Sequence, residues 1–527
     1  MKIFQYIIIA SVLCSGLLVS CINDLDQYPH IEETNKSVYT SVENYKMVLA
    51  KLYASFIICG QEKGGGNKDF ATNKGYDYMR SYINLQELTT DEVAYTWSGN
   101  IFDLCKHQWT ISDIFVSDMY YQIYFTISIC NEFLRNSTEE AIGGFSDTDK
   151  EELRTFRSEA RFLRALAYFH ALDLFGNVPY VTENDPVGGF LPPQYNQQQI
   201  FEFLESELVA LEKELPAASQ TEYGRTSKAA ADALLARLYL NAEVYAGKGY
   251  YTECIAACNR VIQAGFQLEN DYRSLFNADN HLRKNEIIFS FAVDATHTMS
   301  WGATTYLICG SVSSSNGKQI PADYGVQSGW TSFRAKGALT SKFESKDKRA
   351  LFFTEDQSQY VTDLKDEFTG YLFEKWSNLK DDGSIASNSA ADGVSTDFPV
   401  FRLADVYLMY AEAALRGGTD TQGDARSMAL EYVNKIRERA YGDPSGNITA
   451  AQLTLDFILD ERARELYMEC VRRTDLIRFN KFISADYLWE YKGGEARGKG
   501  LDKKYNLFPI PETEISANSN IKQNDGY

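Results

Sequence analysis

Phe156-Arg157-Ser158-Glu159-Ala160-Arg161-Phe162-Leu163-Arg164-Ala165-Leu166-Ala167-Tyr168-Phe169-His170-Ala171-Leu172-Asp173-Leu174 is the stretch from which the fold is read. Phe156, Ala160, Leu163, Ala167, His170 and Leu174 recur at three- and four-residue steps, which is one face of an α-helix. Phe162, Leu166 and Phe169 make a second apolar face. A helix apolar on two sides must be covered on two sides, so it belongs inside a helical assembly. Gly176 stops it and Pro179 follows. His170 sits on the inner face and reads as a hydrogen-bonded core residue.

Outward from this helix, the same periodicity predicts helices at 40–58, 115–136, 196–214, 226–245, 250–264, 402–416, 425–440 and 453–482. Several follow one another across short Gly- or Pro-bearing turns, which is the tetratricopeptide style of stacked helix pairs, although the 34-residue consensus is not visible. The expected fold is mostly α, with helical scaffold over about 30–265 and 400–485. Residues 266–400 read differently: Ile287-Ile288-Phe289-Ser290-Phe291 is a short β-type run, and Gly, Ser and Asn cluster at 309–330 and 381–396. Loops held by a rigid scaffold are where binding surfaces are built, so this block is expected to carry the site.

The N-terminus carries Lys2 and an apolar run from Ile7 to Val19, signal-peptide length and too short to span a bilayer. Leu18-Val19-Ser20-Cys21 resembles the acylation site of bacterial lipoproteins. Residues 1–20 are therefore expected to be removed, leaving 21–527 as one domain anchored by lipid on Cys21. The formal charge of −20 repels phosphate backbones and argues against nucleic acid. Nine cysteines, one leaving with the signal and one acylated, leave an odd scattered set that is no disulfide framework. Cys254 and Cys258 share a helix face without a second pair or a histidine nearby, and read as small buried hydrophobes.

Catalytic signatures are missing. There is no H-E-x-x-H, no G-x-S-x-G and no dinucleotide fingerprint, and the five histidines show no metal-ligand spacing. No cofactor is implied. The acidic loops leave room for a structural calcium ion, although none matches the EF-hand pattern. Asp460–Arg464 and Glu469–Arg473 are i,i+4 pairs and predict a surface ion-pair network.

Glu159-Ala160-Arg161-Phe162-Leu163-Arg164-Ala165-Leu166-Ala167-Tyr168, Asp173-Leu174-Phe175-Gly176-Asn177-Val178-Pro179 and Phe401-Arg402-Leu403-Ala404-Asp405-Val406-Tyr407 together resemble the SusD-like (SusD/RagB) family of outer-membrane lipoproteins. So do Arg472-Arg473-Thr474-Asp475-Leu476-Ile477-Arg478-Phe479, Phe508-Pro509-Ile510-Pro511 and the terminal Gln523-Asn524-Asp525-Gly526-Tyr527. The resemblance covers nearly the whole chain. It implies a non-enzymatic protein that is lipid-anchored at the outer membrane, faces the cell exterior, and sits over a SusC-like TonB-dependent transporter.

A narrower resemblance, to the starch-binding founding member, rests on Cys21-Ile22-Asn23-Asp24-Leu25-Asp26, Thr90-Asp91-Glu92, Thr305-Tyr306-Leu307-Ile308-Cys309-Gly310 and Tyr487-Leu488-Trp489-Glu490-Tyr491. Carried over by position, it implies a carbohydrate-binding arc of Trp97, Trp301 and Trp330 for starch or maltooligosaccharides, with Arg80 and Asn100 as polar partners and Asp77 as a further candidate. Trp301 stands where that member has Tyr, which keeps a ring, and the block 340–400 is shorter. The chemistry suits a sugar: flat indoles cover its apolar C–H face, while Arg80 donates a fork and the Asn100 amide both donates and accepts. Trp109, Trp376 and Trp489 are expected in the core. Two other readings stand beside this one: the same fold binding another glycan or a peptide, and a surface glycoside hydrolase.

Overall fold

The computed structural model describes residues 38–60, 62, 69, 76–97, 99–386 and 393–527. Residues 1–20, read above as a signal segment, and Cys21 lie outside the described residues. Contacts divide the chain into Met1–Met47 and Val48–Tyr527, and the body described below is the second unit.

Helices form where apolar spacing and caps coincide. They are α1 (Val42–Ala54), α2 (Tyr78–Glu87), α3 (Phe102–Lys106), α4 (Ile114–Asn136), α5 (Asp147–Phe175), α6 (Gln197–Glu214), α7 (Lys228–Leu240), α8 (Ala242–Ala246), α9 (Tyr251–Gln263), α10 (Ala303–Ser311), α11 (Gly337–Thr340), α12 (Leu403–Leu415), α13 (Ala425–Tyr441), α14 (Leu455–Leu466), α15 (Arg472–Arg478) and α16 (Glu512–Ala517). The central α5 begins well ahead of its apolar repeat because Ser146 caps it, accepting from Asp149 N–H, with Asp147 and Asp149 at the positive end of the dipole. Phe162, Leu163, Leu166 and Phe169 are all buried, each contributing about 1.5–3 kcal/mol. The two apolar faces of α5 pack on α4 and on α6. The chain of neighbours then continues α6–α7–α9–α12–α13.

Strands are few and short. β1 (Val93–Tyr95) pairs antiparallel with β5 (Phe333–Ala335) in the register Val93↔Ala335, Ala94↔Arg334, Tyr95↔Phe333. β4 (Ile287–Phe291), the run read from sequence, pairs with β8 (Phe398–Arg402). Among the described residues the other strands are two-residue pairs, β2 (Val178–Pro179) with β3 (Gln194–Tyr195) and β6 (Phe352–Phe353) with β7 (Leu372–Phe373), and no helix is long and apolar enough to cross a membrane.

Two expectations are corrected. The single helix at 453–482 is broken into α14 and α15, because Met468 and Cys470 adopt left-handed backbone, φ 59° and 61°. Residues 469 and 473 therefore do not share a helix, and the charged run is no surface network. Glu469 pairs instead with Lys375 at 2.6 Å and Arg402 at 2.7 Å, and Asp460 pairs with Lys342 at 2.6 Å. Glu461 and Glu465 are fully buried between Arg349, Arg437, Arg464, Arg402 and Arg439. Periodicity places residues on a face but does not say whether that face is wet.

Other expectations hold. His170 is buried, its Nδ1 2.7 Å from the Tyr78 hydroxyl, and burial pushes its pKa down to about 3. Cys254 and Cys258 are free and buried.

Candidate functional site

The β1–β5 pairing solves the first placement problem. Trp97 lies just beyond the end of β1 and Trp330 just before the start of β5, so antiparallel pairing sets residues far apart in sequence side by side. Thr96 N–H donates to Ser332 O at 2.9 Å, and the Trp97 indole Nε1–H donates to the carbonyl of Trp330 at 2.7 Å. The segment 330–332 also closes the end of α10: Trp330, Ser332 and Thr331 N–H donate to the carbonyls of Cys309, Gly310 and Val312. Carbonyls at a helix C-terminus lack intrahelical partners, and here the ribbon supplies them. Two glycines make the approach feasible. A Cβ on Gly310 would stand 2.7 Å from the Phe333 ring, and one on Gly329 would stand 2.3 Å from the Val312 carbonyl oxygen.

Trp301 is placed from the other side, by α2 and α10. Asp77 caps α2, its Oδ1 accepting from Arg80 N–H at 2.8 Å. Its Oδ2 accepts from the Ser300 hydroxyl at 2.6 Å, and the carboxylate lies by the Ala303 amide that opens α10. One buried anion thus serves the positive ends of two helices. A Cβ on Gly302 would stand 1.8 Å from Asp77 Oδ2, so only glycine fits there. Burial pushes the Asp77 pKa up to about 6, opposed by Ser300, the Arg80 amide and guanidinium, and Ala303. Between Ser300 and Gly302, Trp301 has its carbonyl engaged by Arg80 Nη1 at 2.5 Å. The guanidinium carbon of Arg80 lies 3.8 Å from the Tyr76 ring centroid, 4.1 Å from that of Tyr306 and 5.8 Å from that of Trp330. Such desolvated cation–π contacts are worth about 2 kcal/mol.

The three indoles therefore meet. The rings of Trp301 and Trp330 are 6.0 Å apart at 51°, Tyr306 backs Trp330 at 6.5 Å, and Tyr95 lies 6.3 Å from Trp97. They face water: Trp97 is 50% exposed, Trp301 is 36% exposed and Trp330 is half-buried, whereas Trp109, Trp376 and Trp489 are 2% exposed each. The tilt between Trp301 and Trp330 bends the surface they share, which suits a curved, flat-faced ligand.

The polar candidates divide. Arg80 and Asp77 are buried, at 5% and 1% exposure, and hold the backbone around Trp301. Asn100 is exposed, in the turn after Trp97 where its carbonyl accepts from Asp103 N–H. Sequence reasoning missed Tyr76, Tyr95, Ser300 and Gly302. Of these only Gly302, directly after a candidate Trp, carries a visible signal. Among the described residues no cluster of three or more His, Cys, Asp or Glu could hold a metal ion.

A mostly α scaffold that presents open aromatic rings defines a class of ligand-binding surface, and its relatives give it a family. Residues 344–527 match the SusD family model, and residues 65–240 match one described as starch-binding, associating with outer membrane. The chain belongs to the SusD family, whose members are non-catalytic carbohydrate-binding proteins. Within it, the chain is 33% identical to the starch-binding protein SusD of Bacteroides thetaiotaomicron, over 100% of this chain and 98% of that protein. Its fold matches a SusD homolog from the same organism with a TM-score of 0.72 at 20% identity, covering 94% of this chain and 99% of that one. It also matches surface glycan-binding protein A of Bacteroides thetaiotaomicron in complex with laminarihexaose, with a TM-score of 0.69 at 19% identity, covering 92% and 100%.

Proposed function

We propose that this protein binds starch-type α-glucan on the Trp97–Trp301–Trp330 face, from a lipid anchor on Cys21 at the outer membrane facing the cell exterior, and hands it to a SusC-like TonB-dependent transporter. The observation that carries the reading is the convergence of three indoles from separate elements on one water-facing surface. An α-1,4-glucan curves as it runs, and the tilted Trp301 and Trp330 rings, 6.0 Å apart, suit adjacent glucose faces. The name of the 33%-identical relative supports starch as the ligand, and the second family description supports the outer membrane. Sugar hydroxyls give up good hydrogen bonds to water, so single-site affinity is modest and long chains gain by multivalency.

Native electrophoresis through gels containing amylopectin, beside gels containing laminarin, tests the ligand. Retardation by amylopectin is the expected result. Free migration there with retardation by the other glycan refutes the α-glucan reading. Globomycin treatment and palmitate labelling of wild type and Cys21→Ala test the anchor.

A further inference from the structure

The ribbon carrying Trp97 and Trp330 is held from its other face by a buried guanidinium. Arg334, on β5 opposite Ala94, is fully buried, and among the described residues it makes no ion pair. Its donors are spread over neutral oxygens. Nε–H donates to the Thr96 hydroxyl at 2.9 Å, and Nη2 donates to the Leu364 carbonyl at 2.7 Å. Nη1 reaches the carbonyls of Asp363 at 3.2 Å and Asp366 at 2.5 Å, and both the carbonyl and the hydroxyl of Thr369. The loop 363–369 is built to converge on it: Asp363 accepts from Lys365 N–H and Asp366 from Phe368 N–H, which turns the chain tightly around the guanidinium. Burial pushes the Arg334 pKa down to about 10, so it remains charged at neutral pH.

A charge buried without a carboxylate is costly, and here the cost comes with a specific geometry. Just beyond β1, Thr96 turns its hydroxyl to Arg334, and the next residue, Trp97, sets its ring edge-on to Tyr95 at 6.3 Å. Arg334 thereby ties β1, β5 and the loop 363–369 together behind the indoles.

We infer that Arg334 is a positioning residue of the carbohydrate site, fixing from behind the ribbon that sets the spacing of Trp97 and Trp330. This rests on the function proposed above. A lysine keeps the charge but has one nitrogen where the fork has three, so it cannot reach Thr96 and the loop at once.

The test is a double-mutant cycle read by calorimetry with a cyclic maltooligosaccharide: Arg334→Lys, Trp97→Ala and the pair, with Thr96→Val repeating the cycle should Arg334→Lys not fold. Arg334→Lys is expected to weaken binding about tenfold in the wild-type background and less than about twofold in the Trp97→Ala background, since coupled residues are non-additive. Its circular dichroism should remain native, while acrylamide quenching of the exposed indoles changes. A folded Arg334→Lys or Thr96→Val protein that binds normally, or whose loss simply adds to that of Trp97→Ala, overturns the inference. Normal binding by Trp97→Ala alone refutes the proposed site instead.

Discussion

Trp97 is the sharpest place to perturb the site, because it is half exposed and its indole N–H also holds the Trp330 carbonyl. A free indole offers about 250 Å², so half exposure leaves about 125 Å², and one ring face is about 60 Å² of that. Covering it with a matching sugar face removes about 120 Å² from water, worth about 3 kcal/mol at 25 cal/mol/Å². Desolvating sugar hydroxyls offsets about half. The hydrogen bond to Trp330 is made with or without sugar and cancels from the binding difference. Trp97→Ala should therefore weaken binding of a cyclic maltooligosaccharide by about 1.5 kcal/mol, roughly 13-fold. Trp97→Phe keeps a smaller ring and should lose about threefold. Exposed positions contribute little to folding, so the melting temperature of both should stay within about 2 °C of wild type. Calorimetry measures the affinities and scanning fluorimetry the stability. A Trp97→Ala protein that is folded and binds within threefold of wild type would refute the stacking argument.

Three further outcomes follow from the same geometry. Gly302→Ala drives a methyl into the Asp77 carboxylate, so glycan affinity should collapse and stability fall by several kcal/mol, while Ala303→Gly, which relieves φ 44°, should bind normally. Arg349→Met leaves buried Asp347 without its cation and takes one arginine from each of Glu461 and Glu465, and urea unfolding should show a loss of about 3–5 kcal/mol. Stability should also peak near pH 5. Burial raises Glu465 and Asp405, but the surrounding arginines outweigh it and hold both at about 2, so their contribution, full above about pH 4, is lost as pH falls toward 2. Burial pushes Glu87 up, beside the equally buried Glu92, so the native state favours its neutral form and that contribution is lost as pH rises above about 4.5. Fluorimetry from pH 2 to 9 should show both limbs, with Glu87→Gln flattening the alkaline one; an unchanged alkaline limb in that variant contradicts the assignment.

The amino-acid sequence by itself determined the helical class. The two apolar faces of 156–174, the short β run at 287–291 and the irregular block between helical halves all appear where periodicity put them, because a buried face must repeat at the pitch of its own element. The family motifs were legible for the same reason, being mostly core. Tertiary structure alone decided that the charges of α14 are buried, since spacing is silent about solvent, and that the chain reverses at Met468 and Cys470 in a backbone conformation those residues do not announce. It alone decided that Trp97, Trp301 and Trp330 meet. That meeting depends on strand pairing between residues more than two hundred positions apart and on one carboxylate shared by two helix ends, and neither leaves a local pattern in the chain.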